Sequence, residues 1–226
     1  MPFDVGASAG AFALGTTIAK VPHRADRGHS HAALKEIRPV TRLTLNGIAT
    51  YTEGTLPRLG CEAPRFALTT AALEDVGLDH FRSRCKVLNI VPSIQLPSCR
   101  ASTRRLEDGL RGVPQATLLT ISSDLPFAGG MQAEEGPRFH SVTLSAFRNP
   151  SFARSYGVDI VSGPLRGLMA RAVLVLDASN RVLHAELVRE LSADPDCLAA
   201  LSAVRCAVAS ERATAVSSTD GATVAV

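Results

Sequence analysis

One cysteine lies where a β-prone run and a turn give way to a helical pattern. The run at residues 87–91 ends at Pro92, a turn containing Pro97 follows, and the helical pattern begins at Cys99. A helix N-terminus offers unpaired N–H groups and the positive end of the macrodipole, and both favour the thiolate, the nucleophilic form of cysteine. The pattern therefore predicts either a reactive thiol at Cys99 or a small residue that fills a helix start.

The elements that must position this cysteine alternate between strands and helices. Alternation and the turn signal Asn46-Gly47 predict a hairpin over 41–51. Apolar runs predict strands at 87–91, 116–122 and 142–144. A second hairpin is predicted from strands at 171–176 and 181–188, followed by a helix over 194–207. This order predicts an α/β fold with a mixed sheet flanked by helices.

The composition predicts one globular domain between two tails. The chain has 226 residues, of which 46% are hydrophobic and 20% charged, which suits one sizeable core. Residues 1–38 are rich in Ala, Gly, Ser and His without a sustained period, so we expect a disordered extension there. We expect the domain at 39–207 and a disordered tail at 208–226.

Charge, hydropathy and cysteine spacing argue against several classes of protein. The net charge is only +3 and the basic residues are scattered, so neither nucleic acid nor a membrane surface is an expected partner. No stretch approaches the roughly 20 apolar residues that span a bilayer. The five cysteines lack CxxC spacing, which argues against a disulfide scaffold or a zinc ribbon. We therefore expect a cytoplasmic protein.

The N-terminal extension leaves two interpretations open. Lys20, Arg24 and Arg27, in a segment with few acids, are compatible with an organellar presequence. His29 and His31 could bind a metal or belong to a polar disordered tract. We predict no metal site and no cofactor.

Five blocks of the sequence occur in the order and at the spacing of a known family. They are VLNIVPSI followed by Cys99, TISSDLPFA at 120–128, VTLSAFRN at 142–149, YGVDIVSGPLRGLMARAVLVLD at 156–177 and ELVRELSADPD at 186–196. In these blocks the chain resembles the thiol peroxidase subgroup of the peroxiredoxins. The resemblance implies a thioredoxin-like fold with an N-terminal β-hairpin, a homodimer, and reduction of hydrogen peroxide or alkyl hydroperoxides by thioredoxin or a low-molecular-weight thiol.

The resemblance also assigns roles to three residues. Cys99 matches the peroxidatic cysteine, Pro92 the proline that opens the active-site loop, and Arg148 the arginine of the FRN block. A guanidinium suits this chemistry because its charge lowers a thiol pKa and its fork of donors can hold a peroxide. The alternative for Arg148 is a surface ion pair.

Two positions depart from the family pattern. Leu96 stands three residues before Cys99, where the family has Thr or Ser, so the hydroxyl that hydrogen-bonds the thiolate is missing. The resolving cysteine of the subgroup would fall at or beside Ala133, and no cysteine is there.

The leucine predicts a peroxidase of reduced activity. The missing cysteine predicts a one-cysteine cycle that uses an external thiol, unless Cys61 or Cys85 resolves the sulfenic acid. Packing roles are nevertheless expected for Cys85, Cys197 and Cys206. Two alternatives to a working peroxidase stay open: a redox sensor, and a degenerate scaffold without chemistry.

Overall fold

The computed structural model describes residues 39–81, 84–130 and 141–220. The strands within these ranges are β1 Val40–Leu45, β2 Ile48–Glu53, β3 Leu68–Thr69, β4 Asp75–Val76, β5 Cys85–Ile90, β6 Ala116–Ser122, β7 Ser141–Ser145, β8 Asp159–Ile160, β9 Ala172–Leu176 and β10 Val182–Leu187. The helices are α1 Pro97–Leu110, α2 Phe127–Gly130, α3 Ser151–Ser155 and α4 Cys197–Asp220, with a 3-10 turn at Leu78–Phe81.

The predicted N-terminal hairpin is confirmed. β1 pairs antiparallel with β2, and the two residues between them, Asn46 and Gly47, have φ of 51° and 80°. Positive φ at both central residues gives the turn whose twist matches that of the flanking strands, and Asn-Gly is the pair that adopts it most readily. The short strand β8 joins β2 to complete a three-stranded sheet.

The second sheet is mixed, as predicted. Its order is β10-β9-β5-β6-β7-β3-β4. β5, β6 and β7 run parallel, whereas β9 is antiparallel to β5 and β10 to β9. The carboxyl ends of three parallel strands therefore meet at one edge, which is where loops with functional residues gather in such sheets.

Both faces of this sheet are covered. Val87 of β5 packs with Leu106 of α1 and Leu201 of α4 in one apolar cluster. Its neighbour Leu88 belongs to a second cluster, which includes Leu43 of the hairpin. Because successive side chains of a strand point to opposite faces, a strand buried on both sides is apolar without alternation. This burial explains why the residues at 87–91 do not alternate between apolar and polar; the one polar residue among them, Asn89, is itself buried.

The last helix differs from the prediction at both ends. It begins at Cys197 rather than at residue 194, because the Asp196 carboxylate caps it by accepting a hydrogen bond from the Ala199 N–H at 2.9 Å. It continues to Asp220 instead of ending at Ala207, and Val208 beyond that point is still buried against the sheet. Residues 208–220 of the predicted tail are therefore helical, and residues 221–226 lie outside the described residues.

Other expectations lie outside the described residues. The extension at 1–38, with its histidines, and the segment that contains Ala133 belong to the ranges that are not described. The domain boundaries at 39 and 207 stay a prediction. No helix in the described ranges combines the length and the apolar character that crossing a membrane requires.

Candidate active site

Cys99 is the third residue of α1, at the edge where the parallel strands end. The helix begins at Pro97, because proline is pre-organised for the first helical position and its missing N–H would be unpaired there anyway. Leu96 is the N-cap, with φ of −68° and ψ of 129°, and its side chain makes no capping hydrogen bond. The predicted helix-start position of the cysteine is therefore observed, and Leu96 leaves that start without a hydroxyl.

The thiol of Cys99 is buried. The residue is 1% exposed and packs with Val91 and Ile94, and Ala128 of α2 covers this small cluster. Burial raises the pKa of the Cys99 thiol above its ordinary value, since it disfavours the charged form. Loss of contact with water is therefore the largest influence on the pKa of this thiol.

Three neighbours oppose that effect of burial on the Cys99 pKa. The charge of Arg171 lowers the pKa most, followed by a hydrogen bond from the Ser93 backbone and one from the Ser98 side chain. The negative charge of Asp124 acts in the opposite direction and raises it. Arg171 is therefore the guanidinium whose field reaches the sulfur.

Arg171 is held rigidly just before β9. It is 2% exposed, and its Nη2 donates to the Ser102 hydroxyl at 2.8 Å and lies 3.4 Å from Asp194 Oδ1. Its Nη1 donates to the carbonyl of Ala193. The Arg171 Nε is buried and has no hydrogen-bond partner in the part of the chain that the structure describes. One donor of this guanidinium is therefore unsatisfied within the described residues.

A hydrogen-bond network connects the same arginine to the backbone of Cys99. The Cys99 carbonyl accepts hydrogen bonds from the hydroxyls of Ser102 at 3.0 Å and Thr103 at 2.9 Å. The Asn89 amide of β5 donates to Thr103 Oγ1 at 2.8 Å. Since Ser102 also accepts from Arg171, the first turn of α1 is tied to both β5 and β9.

Arg148, the arginine assigned by resemblance, lies elsewhere. It follows β7, its side chain is 52% exposed, and its Nη1 lies 3.8 Å from Asp75 Oδ1 on the edge strand β4. Its charge does not figure among the main influences on the Cys99 pKa, whereas that of Arg171 does. The catalytic role of Arg148 stays a prediction, and this contact matches the surface ion pair kept open as the alternative.

Pro92 opens the loop between β5 and α1. It follows the end of β5 and is buried, and its role in catalysis stays a prediction. The Asp124 carboxylate accepts hydrogen bonds from the Ser93 hydroxyl at 2.9 Å and the Ile94 N–H at 2.7 Å, so it fixes this loop. The loop that Pro92 opens therefore leads directly into the first turn of α1, which carries Cys99.

Sequence reasoning missed Arg171 and Asp124. A signal existed for Arg171, since an arginine directly before the apolar strand Ala172–Leu176, which must be buried, needs partners in the interior. Asp124 follows the buried strand β6. Because β5 and β6 are parallel, their carboxyl ends lie at the same edge of the sheet, so Asp124 lies at the edge that also carries Cys99. Neither contact can be read from spacing along the chain.

All five cysteines are free thiols. Cys61 and Cys206 are exposed, whereas Cys85 and Cys197 are buried in the described structure. Burial raises the pKa of Cys85 to about 12, so its thiolate does not form at neutral pH. The packing role expected for Cys197 fits its place in the apolar cluster between α4 and the sheet, while the exposed Cys206 does not share that burial.

No group of His, Cys, Asp and Glu with the geometry to bind a metal occurs among residues 39–81, 84–130 and 141–220.

Comparison with known proteins agrees with a thiol site on this fold. The Redoxin family pattern matches residues 58–201. The thiol peroxidase of Mycobacterium bovis is 39% identical over 165 residues, which cover 73% of this chain and 99% of that protein. The chain therefore belongs to the redoxin family, in its thiol peroxidase subgroup.

Solved structures confirm the thioredoxin-like fold. A thiol peroxidase from Chromobacterium violaceum superposes with a TM-score of 0.65 at 25% identity, over 70% of this chain and 91% of that one. A peroxiredoxin-like protein from Aquifex aeolicus gives a TM-score of 0.67 at 27% identity, over 73% of this chain and 95% of that one.

Proposed function

We propose that this chain reduces hydroperoxides at Cys99 with electrons from an external thiol. The family assignment supports a thiol-dependent peroxidase. The observation that carries the assignment of the site is the buried Arg171, whose charge favours the Cys99 thiolate and whose Nε has no hydrogen-bond partner within the described residues. A positive charge that acts on the thiol, with an unsatisfied donor on the same guanidinium, suits a reaction in which negative charge moves from sulfur to oxygen.

In the first half-reaction the Cys99 thiolate attacks the terminal oxygen of the peroxide. The O–O bond breaks, sulfur is oxidised to a sulfenic acid, and the departing oxygen takes a proton to leave as an alcohol or as water. Arg171 stabilises the charge that develops on that oxygen. Pro92 and the loop that it opens keep the sulfur in place and away from bulk water.

The second half-reaction uses an external thiol in a one-cysteine cycle. A thiol attacks the sulfenic sulfur, water leaves, and a mixed disulfide forms; a second thiol then releases Cys99 as a thiol. No cysteine occurs in the sequence at 131–140, where the subgroup places its resolving residue. Thioredoxin or a low-molecular-weight thiol would supply both electrons.

The remaining predicted partners and location are also proposals. We propose a homodimer, with no nucleic acid or membrane partner, in the cytoplasm. The five free cysteines support a reducing compartment. Exposed apolar side chains after the ends of the parallel strands support a second subunit at the active-site edge; they are Leu96, Leu125, Phe127 and Phe147.

A redox sensor is the second candidate. The burial of Cys99 and the absence of a hydroxyl at Leu96 both favour a slow reaction with peroxide and a slow reduction of the oxidised cysteine to the thiol. Such a thiol would pass its oxidation to a partner protein rather than turn over. A scaffold without chemistry is the third candidate.

Rapid mixing with one equivalent of peroxide separates the three candidates. For a peroxidase we expect stoichiometric loss of the Cys99 thiol, followed by turnover when thioredoxin or a small thiol is added, and no activity in Cys99→Ser. Oxidation without turnover would establish the sensor, and an inert Cys99 thiol would establish the scaffold. Cys206→Ser, which removes an exposed thiol on α4, is the matched control and should react like the wild type.

A further inference from the structure

The Asp124 carboxylate connects the end of β6 to the loop that carries Cys99. It accepts hydrogen bonds from the Ser93 hydroxyl at 2.9 Å, from the Ile94 N–H at 2.7 Å, and from the Ser122 hydroxyl at 2.9 Å. A carboxylate with three such donors is strongly oriented, because hydrogen bonds to an ionised acceptor are stronger than neutral ones.

The backbone of Asp124 is itself fixed by two neighbouring strands. Its N–H donates to Ser122 Oγ at 3.2 Å, and its carbonyl accepts a hydrogen bond from Ser145 Oγ of β7 at 2.5 Å. Ser122 and Ser145 are both buried at the ends of parallel strands. The carboxylate therefore projects from a rigid part of the sheet rather than from a free loop.

The two loop residues that Asp124 holds are both in contact with Cys99. The Ser93 backbone hydrogen-bonds the Cys99 thiol, and Ile94 packs against Cys99. Two charged groups act on this sulfur: Arg171 favours its ionisation, and Asp124 opposes it. A carboxylate near Cys99 makes the thiolate less favourable. The benefit of Asp124 must therefore come from its hydrogen bonds to the loop, which offset the unfavourable effect of its charge on the thiolate.

We propose that Asp124 is a positioning residue, which fixes the loop at residues 93–94 so that the Ser93 N–H stays directed at the Cys99 sulfur. This inference deepens the proposed function and rests on it for its catalytic consequence. Without the carboxylate, the N–H of the buried residue Ile94 and the Ser93 hydroxyl lose this shared acceptor, and the loop no longer has one defined position. A displacement of the loop would weaken a donor that must lie at hydrogen-bond distance from the sulfur.

Two substitutions separate the charge of Asp124 from its positioning effect. Asp124→Asn removes the charge but keeps an oxygen acceptor and can still bridge the loop to Ser122. Asp124→Ala removes both the charge and the bridge. Asp177→Asn, in the turn between β9 and β10, removes an aspartate charge elsewhere and serves as the matched control. Circular dichroism and thermal unfolding of each full-length variant establish that it is folded.

The first measurement is the pH dependence of Cys99 alkylation by iodoacetamide, resolved by peptide mass spectrometry. Loss of the charge lowers the midpoint in both variants, but only Asp124→Asn keeps the Ser93 donor on the sulfur. We expect its midpoint to lie below that of Asp124→Ala by about half a pH unit or more. Equal midpoints in the two variants would overturn the positioning role, whether or not the protein reacts with peroxide.

The second measurement is the rate of Cys99 oxidation by peroxide at equal thiolate fraction. We expect Asp124→Asn to stay within about threefold of the wild type and Asp124→Ala to fall at least tenfold. A wild-type thiol that is inert to peroxide would refute the proposed function while the alkylation midpoints still decide the role of Asp124. An active wild type with equal rates in both variants would refute only the positioning role in catalysis.

Discussion

At the scale of single residues, the environment of Cys99 combines effects of opposite sign on one thiol pKa. Burial raises the pKa, whereas Arg171, the Ser93 backbone and the Ser98 hydroxyl lower it. Burial has the largest effect on this pKa and disfavours the thiolate. The fraction of thiolate at neutral pH therefore depends on how far the charge of Arg171 and the two hydrogen-bond donors offset burial. Residues that supply or withhold a donor at the start of α1 should therefore change the reaction rate most directly.

Leu96→Thr should accelerate the peroxide step. Leu96 is the N-cap of α1, so a hydroxyl there lies beside the first-turn N–H groups and within reach of the sulfur. A hydrogen bond to a charged group contributes about 1.5–3 kcal/mol, which is roughly a tenfold to hundredfold gain if it acts in the transition state. The readout is the rate of Cys99 thiol loss in rapid mixing.

Leu96→Val is the matched control for this prediction, because valine has the shape of threonine without its hydroxyl. An acceleration by Val equal to that by Thr would show that side-chain size, and not hydrogen bonding, limits the reaction at this position.

The two arginines should differ in their effect on the same rate. Arg171→Lys keeps a positive charge but loses the fork that contacts Ser102 and Ala193, so we expect a tenfold to hundredfold loss of the peroxide rate, equivalent to about 1.5–3 kcal/mol. Arg148→Lys, whose ion pair with Asp75 is exposed, should change the rate less than about twofold. The opposite order would restore Arg148 to the catalytic role implied by resemblance.

At the scale of elements, α1 and α4 pack closely on one face of the sheet, and this contact supports the helix that begins beside Cys99. Gly109 of α1 faces Leu201 of α4, where an added Cβ would lie 2.2 Å from a Leu201 methyl carbon. The glycine therefore belongs to the interface between the two helices and not only to the end of α1.

Gly109→Ala should destabilise the protein. Alanine in a helix interior is normally favoured over glycine by about 1 kcal/mol, but inserting an atom into a packed interface costs about 1–3 kcal/mol. We expect a net loss of about 1 kcal/mol in the free energy of unfolding, measured by denaturant titration. In the double variant Gly109→Ala, Leu201→Ala the two effects should be less than additive; strict additivity would mean that the residues do not compete for space.

A second element contact fastens the N-terminal hairpin. The Glu190 carboxylate accepts hydrogen bonds from the N–H of Asn46 at 2.8 Å and from the Ser192 hydroxyl at 2.6 Å. These hydrogen bonds, that from Ser192 most of all, lower the pKa of Glu190 to about 2. Because the folded pKa is depressed, the contact stabilises the fold above the ordinary pKa of 4.5 and is lost as the pH falls toward 2.

Glu190→Gln should therefore lower the melting temperature at neutral pH, and its difference from the wild type should shrink as the pH falls from 4.5 toward 2. Thermal unfolding of both proteins across this range measures the effect. Glu74→Gln, at an exposed glutamate, is the control for the change in net charge. A difference between Glu190→Gln and the wild type that does not vary with pH would show that the carboxylate charge has no part in the contact.

At the scale of the whole molecule, the edge of the sheet that carries Cys99 also carries exposed apolar side chains. Leu96, Leu125, Phe127 and Phe147 follow the carboxyl ends of the parallel strands β5, β6 and β7. Apolar side chains concentrated at one edge are typical of an interaction surface, whereas single exposed ones need no explanation. The proposed homodimer would cover them.

Phe147→Glu should shift the protein from dimer to monomer in sedimentation velocity, because a buried, unpaired carboxylate disfavours the associated state. Leu198→Glu, at an exposed leucine of α4, is the matched control and should leave the dimer intact. A wild-type protein that sediments as a monomer of 23.8 kDa at micromolar concentration would contradict the proposed interface.

The sequence alone determined the family, the hairpin turn at Asn46-Gly47, the buried strands and the position of Cys99 at a helix start, because these depend on local backbone preferences and on the period of apolar residues. Only the tertiary structure decided which charges act on the sulfur. Arg171 is 72 residues from Cys99 along the chain and Asp124 is 25, and the pairing of β5 with β6 and β9 brings both beside it. Burial of the thiol is likewise a property of the packed sheet edge, since it depends on side chains that meet only when the chain has folded.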